Sequence, residues 1–546
     1  MLDFSFLSDP SSTLYDTQSL NSGWWDIGAA GTSSAQGQYI AGNYVPNTSH
    51  AHQPSAALSS LSESNSGSLA TFRPPGASGF VKPNMTAGQA SLFQALLSLG
   101  ESNTSSPLSY SASQTPPSSH GSAWPSPDLD QDESATSEES DPEGVREIVC
   151  RTPTLDKNVP TNSLPFVLQS YSKWIMRTVF EPLKVASDAR NWLTMRFNQS
   201  EDSRWAVTLM ANVVWMLSKT SSIPTNVLPA ISLLRDRAQR NLAIVNQNHA
   251  LAPPGSQEAI RVLDDTFEVI SVQFMSNSLA SNLMLLKEAA PVYEHACGNP
   301  PGTPIDLPSS LIHLEFPVRH YPAMDIMFSL GTCMPMQFRY KVYHAPELCN
   351  LVTDMGNVGL QWMHGIPDQF ILLLARMHML RVDFAPHLDT QIEAEIEEEI
   401  KTFQPVITPS TDPFLSVVRL AVQEAWRQAL YIYLYMGLCG ADASDSRVAN
   451  ALKRFIRLLE GTKPGRTPAL FLTLPMITAG VASRRAQDRE LIRSRMSMLR
   501  ECQQPGTCGY ETLLTLNDLW NRVDSEGRPA VWMDLRISVA VISGIL

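Results

Sequence analysis

At 546 residues and a net charge of −13, the chain is long enough for two or three ordinary domains, or for one large helical array with a tail. Residues 1–145 hold 14 acidic side chains against only Arg73 and Lys82, so nearly all the excess charge sits there and the rest of the chain is close to neutral. An acidic tail on a neutral body is a poor electrostatic match for nucleic acid, whose nonspecific affinity comes from Lys and Arg neutralising phosphates.

The start, Met1-Leu-Asp-Phe4, has neither the basic nor the long apolar region of a secretory signal. From there to about residue 160 the chain is rich in Ser, Pro, Gly, Asn and Thr and lacks sustained periodicity. Such a segment buries too little apolar surface to offset about 1–2 kcal/mol of backbone ordering per residue, and it reads as disordered. Apolar islands interrupt it. Phe4, Phe6 and Leu7 form one, Trp24-Trp25-Asp-Ile27 a second, and Leu92, Phe93, Leu96, Leu97 and Leu99 a third with helical spacing. An acidic run follows from Asp128 to Glu143. Phe4, Phe6, Leu7, Leu92, Phe93 and Leu96 are the candidate interaction residues. Apolar side chains among acids can dock into a partner's shallow groove while the acids keep the segment extended; an inert linker has the same composition.

Residues 161–546 read as almost entirely helical. Val167, Tyr171, Trp174 and Ile175 form one stripe. The stretch from Arg204 to Leu217 predicts a helix buried on most sides, and Leu228, Ile231, Leu234, Ala238, Leu242 and Val245 mark a third. Ser256 is placed to cap a fourth that runs toward Phe274. Five prolines and two glycines between Cys297 and Pro317 predict a break between two lobes. Beyond it, helices are predicted over Tyr321–Leu330 and Pro367–Leu380, and Ile392, Ile396 and Ile400 stripe an acidic helix whose carboxylates read as a solvated face. After a second break at Pro405–Pro413 comes a long helix over Phe414–Leu438, apolar all round from Ala429, which places it at the centre. Further helices are predicted near Arg447–Leu459, Ala469–Val481, Arg489–Cys502 and Leu513–Asp524. The fold class is all-α, a multi-helix array in two lobes after a long disordered segment. A body of roughly 385 residues is too large for one simple bundle core.

Motifs of catalysis are missing. There is no G-x-S-x-G, no phosphate-cradling glycine loop and no H-E-x-x-H, so the reading is of a protein that is not an enzyme. His364 and His378 read as core or rim residues, and His295-Ala-Cys297 has no second pair beside it. Seven scattered cysteines suit free thiols in a reducing compartment, and Cys502 and Cys508 flank what reads as a structural turn. Arg484, Arg485, Arg489, Arg493, Arg495 and Arg500 make the best basic patch. Asp488, Glu490 and Glu501 interrupt it, favouring an ordinary exposed helix. The longest apolar stretches, near Phe370–Ala375 and Ile432–Cys439, fall short of the about 20 residues of a membrane span.

Several blocks occur in an order that carries a resemblance: Arg319-His-Tyr-Pro-Ala-Met-Asp325-Ile-Met-Phe-Ser-Leu330, Gly365-Ile-Pro-Asp368, Glu395-Ile396, Glu424-Ala-Trp426-Arg427, Tyr431-Ile-Tyr-Leu434, Leu474-Pro475 with Ala479-Gly480, and Leu519-Trp520 with Asp524 and Trp532. Over about residues 163–540 the body resembles the fungal-specific transcription factor domain that accompanies zinc-cluster modules, in its second major type. The residues themselves read mainly as packing. Trp426, Tyr433 and Trp520 tie helices while finding polar partners, Arg427 pairs with Glu424 one turn earlier, Pro475 sets a kink and Gly480 a helix end.

The resemblance implies a nuclear regulator whose helical domain meets the transcription machinery or other regulators, with self-association a further option. Relatives usually carry a cluster of six cysteines. Here no cysteine precedes Cys150, so no zinc and no other cofactor is expected, and direct DNA binding is not expected unless an N-terminal exon is missing. Target genes, effector and the sense of regulation are not written in the residues. The alternatives are a cytoplasmic helical scaffold, or a ligand-sensing domain with an apolar pocket near the Cys297–Pro317 break.

Overall fold

The computed structural model describes residues 143–545, apart from 151–162, 220–222, 226, 249–254, 299–301, 343–358, 386–387, 407–409 and 411. Phe4, Phe6, Leu7, Leu92, Phe93 and Leu96 lie outside the described residues. What is described is helical almost throughout, as the periodicity predicts.

After α1 (Val145–Cys150) come α2 (Ser163–Thr178), α3 (Ala186–Gln199) and α4 (Glu201–Lys219), with α4 packed against both α2 and α3. The stripe on α2 behaves as its spacing requires: Val167, Tyr171, Trp174 and Ile175 are all buried. Helix α3 has no clear apolar stripe, and its inward face includes the charged Arg196 beside Leu193 and Phe197. Next are α5 (Leu228–Asn248), α6 (Gln257–Gln273) and α7 (Leu279–Ala296), with α6 between its two neighbours. The hydroxyl of Ser256 accepts from the Ala259 amide and caps α6, satisfying one of the amides that a helix start leaves without a partner.

The proline-rich stretch then yields β1 (Ile305–Asp306), the short α8 (Leu307–Leu311) and α9 (Phe316–Thr332). Nearly every residue of α9 is buried, because the helix packs on α6 and α7 and also on α11 and α16 farther along the chain. Its Asp325 carboxylate anchors the returning chain. It accepts from the Gln337 and Phe338 amides and, at 2.9 Å, from the Tyr340 hydroxyl. That anchor brings β2 (Tyr340–Lys341) beside β1 as a two-residue parallel pair, a strand contact too short to leave any alternation in the sequence. Tyr293 of α7 stacks on Tyr321 of α9 with ring centroids 4.1 Å apart, and each buried ring contributes on the order of 2 kcal/mol through its area.

The second half comprises α10 (Gln361–His364), α11 (Asp368–Phe384), α12 (Thr390–Thr402) and the long α13 (Pro413–Tyr433), which continues as one π-turn over Leu434–Leu438. Then follow α14 (Ser446–Gly461), α15 (Arg466–Ala469), α16 (Thr473–Ala482), α17 (Ala486–Ser497), α18 (Arg500–Gln503), α19 (Cys508–Glu526) and α20 (Met533–Ser543). Helix α13 is buried along almost its whole length, as its all-round apolar pattern predicts, and packs on α14 and α16. Ile396 and Ile400 of α12 are fully buried. The acidic side of α12 is more engaged than a solvated face. Arg376 bridges Glu395 and Glu399, Arg447 pairs with Glu393, and the Tyr435 hydroxyl donates to Glu397.

Two expectations are corrected. Pro475 causes no kink, since it lies in the first turn of α16, where no intrahelical partner for its nitrogen is needed. Gly480 is not a helix end. It sits inside α16, where a Cβ would come within 2.8 Å of Leu516 on α19. Its carbonyl accepts from Trp520 Nε1 at 2.9 Å, so glycine is kept here for close approach of two helices.

Candidate functional site

The helices enclose a cavity of about 720 Å³. Its wall draws on α2, α3 and α6, then on α9 and α10, and finally on α13, α16 and α19. Trp174, Phe274, Met327, Phe328, Phe471 and Leu474 give it a mainly apolar and aromatic lining. Asp188 and Leu314 line it and yet stand exposed, Leu314 at 85 %, which marks the mouth. The pocket predicted near the Cys297–Pro317 break is therefore touched at its rim by Leu314 and Phe316, while most of its wall lies elsewhere.

Space of this size and lining, held by packed helices, has the character of a small-molecule site, which typically measures about 300–1,000 Å³.

Besides Asp188 at the mouth and Arg319, whose guanidinium feels the Asp368 and Glu315 carboxylates, the main polar groups fall in three places. Asp264 and Glu268, one turn apart on α6, lie deep in the body but keep some accessible surface where the cavity opens. Trp192 Nε1 donates to Asp264 at 3.1 Å, and the Tyr171 hydroxyl donates to Glu268 at 2.7 Å. Desolvation lifts the Asp264 carboxyl to about 6 and the Glu268 carboxyl to about 8. Behind them Arg196 is locked to Asp265, and Arg237 bridges Asp265 and Asp202. The second group is His320 and His364, stacked with ring centroids 5.1 Å apart. Burial pushes His320 well below the usual histidine range and His364 to about 4, so both rings are neutral at pH 7. Neither nitrogen of His320 nor Nε2 of His364 has a hydrogen-bond partner among the described residues, and the same holds for Trp426 Nε1. At the third place Arg466 pairs with Glu501 at 3.1 Å, beside the buried thiols of Cys502 and Cys508.

Glu268 gives a testable pH dependence. An unfolded glutamate loses its proton near 4.5, whereas the folded one holds it to about 8, so in that window the folded chain binds more protons than the unfolded chain. Stability from this group is therefore full below about pH 4.5 and falls as pH rises toward 8. Glu268→Gln keeps an acceptor for Tyr171 and removes the titration. The urea midpoint of this variant is expected to fall less than that of the wild type between about pH 5 and about pH 8 and to exceed it at about pH 8. Parallel slopes for the two proteins would refute the assignment.

The residues of the resembling blocks converge here. Arg319, His320, Met324 and Met327 of the first block, Trp426 of the fourth and Leu474 of the sixth all line the cavity. Others act in packing as read: Arg427 pairs with Glu424 at 3.2 Å, and Trp532 packs on Tyr433. Tyr433 and Trp520 find polar partners in His378 and Gly480, but Trp426 does not. His378 is a core residue held between Tyr433 and the Ile326 carbonyl, whereas His364 faces the cavity.

Of the arginine patch, Arg489, Arg493 and Arg495 make ties within the body, while Arg484 and Arg485 stand exposed. Arg489 pairs with Asp524 and lies over Trp520, Arg493 pairs with Glu490, and Arg495 is buried against the carbonyls of Leu459 and Thr462. Among the described residues no three His, Cys, Asp or Glu side chains gather as a metal site, and no helix is long and apolar enough to cross a membrane. Asp264 and Glu268 went unnoticed in the sequence. Their one signal is an i, i+4 acidic pair on the same helix as Phe267 and Ile270.

A family model described as "Fungal specific transcription factor domain" matches residues 189–537, well over half of the chain and nearly all of the helical body. The chain belongs to that family. The family is that of a transcription factor domain, not an enzyme family. No curated protein and no solved structure matches the chain.

Proposed function

We propose that this chain is a nuclear transcriptional regulator in which residues 161–546 form a regulatory and protein-interaction platform and residues 1–160 supply activation motifs. The family match over residues 189–537 carries the reading. The acidic N-terminal composition supports the division of labour, because aromatic and leucine side chains among acids suit shallow coactivator grooves. Its partners are the transcription machinery or other regulators, and the acids interleaved with the basic patch, together with the ties of Arg489 and Arg495 within the body, support action through such partners over direct contact with DNA.

Fusing residues 1–145 to a heterologous DNA-binding domain tests the activation role. Reporter activation is expected, with a loss of about fivefold or more on replacing Phe4, Phe6, Leu92, Phe93 and Leu96 by Ser, since these side chains carry the apolar contacts. A silent fusion, or one indifferent to the five substitutions, overturns it. Fluorescence of the tagged full chain, excluded from the nucleus, would instead favour a cytoplasmic scaffold.

A further inference from the structure

We propose that the exposed cationic face of α14 binds the acidic run of this same chain, residues 128–141, through carboxylate–cation contacts that continue outward from the buried Glu143–Arg419 pair. The proposal concerns a surface of the helical body and stands whether or not residues 1–160 activate transcription.

Helix α14 turns Val448, Leu452, Phe455 and Leu459 inward. Its other side shows Asn450, Lys453 and Arg457 to solvent at i, i+3 and i+7, one face of a helix, and the exposed Lys463 follows just past the helix end. Lys453, Arg457 and Lys463 pair with no carboxylate among the described residues, and Glu460 is the only acid in the helix. Arginines elsewhere on this surface are matched: Arg447 at the start of the same helix by Asp445 and Glu393, Arg489 by Asp524, and Arg493 by Glu490. The far half of α14 therefore carries a stripe of positive charge that the body does not answer.

The sequence supplies the answering charge close by. Residues 128–141 hold seven carboxylates, from Asp128 to Asp141, and no Lys, Arg or His. The chain directly after them is already fixed on the body. Glu143 pairs with Arg419 of α13 at 2.7 Å, the two side chains being only 3 % and 4 % exposed, and the Ser410 hydroxyl donates to the same carboxylate at 2.6 Å. Helix α14 runs antiparallel to α13, since Arg447 lies over the Tyr435 ring while Arg454, farther along, acts on Tyr431 and Glu424. Arg457 and Lys463 consequently fall toward the end of α13 that holds Arg419. From Glu143 back to Asp128 an extended chain reaches about 50 Å, and the 16 residues of α14 span only about 24 Å, so the run can follow the whole stripe.

Exposed ion pairs are individually weak, and the tether is what makes this set effective. A segment held this close to its site meets it at an effective concentration of about millimolar, without the cost of bringing two molecules together. The same tether disfavours a nucleic acid at this face, because a phosphate backbone would have to displace seven carboxylates that are always present.

The test uses the purified full chain and a water-soluble carbodiimide, which condenses an amine with a carboxylate where the two touch. Amide links from Lys453 and Lys463 to residues 128–141 are expected by mass spectrometry of the digest, while the exposed Lys287 of α7 should give none. Raising the salt from 0.1 to 1 M shrinks the screening length from about 10 to about 3 Å and should cut their yield at least about fivefold, relative to the link between Lys401 and its helix neighbour Glu398. Arg457→Glu should lower the Lys453 link by about threefold or more with an unchanged circular dichroism spectrum, and Arg457→Gln, which is milder, decides if the first variant does not fold. An equal mixture of ¹⁵N-labelled and unlabelled chain should show no mixed links. Absence of the links, a yield indifferent to salt or to Arg457, links that join two chains, or a fluorescent 20-base-pair duplex bound at 0.15 M salt and released by Arg457→Glu each overturns the proposal.

Discussion

Replacing Asp265 by alanine is expected to destabilise the helical body by about 3–5 kcal/mol, read as a fall in the urea midpoint of its helical signal. Asp265 is 4 % exposed and joins four helices: Arg196 of α3 and Arg237 of α5 donate to it from α6, and Arg237 reaches on to Asp202 of α4. Burial opposes the charge on Arg196, yet Asp265 beside it holds that guanidinium above its ordinary range, so Arg196 is charged when folded. Truncating the carboxylate leaves two buried guanidinium groups facing each other. Asp264, 3.8 Å from Arg196, compensates in part by giving up its proton more readily. Asp265→Asn is expected to cost about half as much, since it keeps an acceptor and loses the charge. A loss below about 1 kcal/mol in Asp265→Ala would show that the network is not held as described.

This network also shows why part of the fold was legible in the sequence and part was not. Helices that bury a regular apolar stripe, such as α2 with Val167, Tyr171 and Trp174 or α12 with Ile396 and Ile400, declare themselves through spacing alone. Helix α3 does not, because its inward face uses Arg196, and a buried arginine looks like a surface one until Asp265, sixty-nine residues later, is known to face it. Helix α7 carries Pro291 within it and hides in the same way. The cavity is less visible still. Its wall joins Tyr171 to Thr512, and the volume depends on where packing stops, which no local pattern records. One trace was present: Arg319-His320 stands as a polar pair in α9, a helix that is otherwise packed on every side.

Replacing Gly480 by valine is expected to cost about 2–4 kcal/mol, against a much smaller effect of alanine at the same place. Two terms compete. In a helix interior alanine is favoured over glycine by about 1 kcal/mol, which would make Gly480→Ala stabilising on an open surface. Here the new Cβ would meet Leu516 at 2.8 and 2.9 Å, and Leu516 is fully buried. Alanine therefore comes out near neutral or about 1 kcal/mol destabilising. Valine adds two branches, loses rotamer freedom in the helix, and presses α16 away from α19, stretching the bond from Trp520 Nε1 to the Gly480 carbonyl. Arg489 and Arg493 rest on that indole ring, so the displacement spreads into α17. Trimming the obstacle should separate the terms. In a Leu516→Ala background the cost of Gly480→Val is expected to shrink by at least about 1 kcal/mol, a coupling measurable as a double-mutant cycle in urea. Additive costs, or a valine tolerated within about 0.5 kcal/mol, would mean that the two helices do not meet as closely at Gly480 as its position requires.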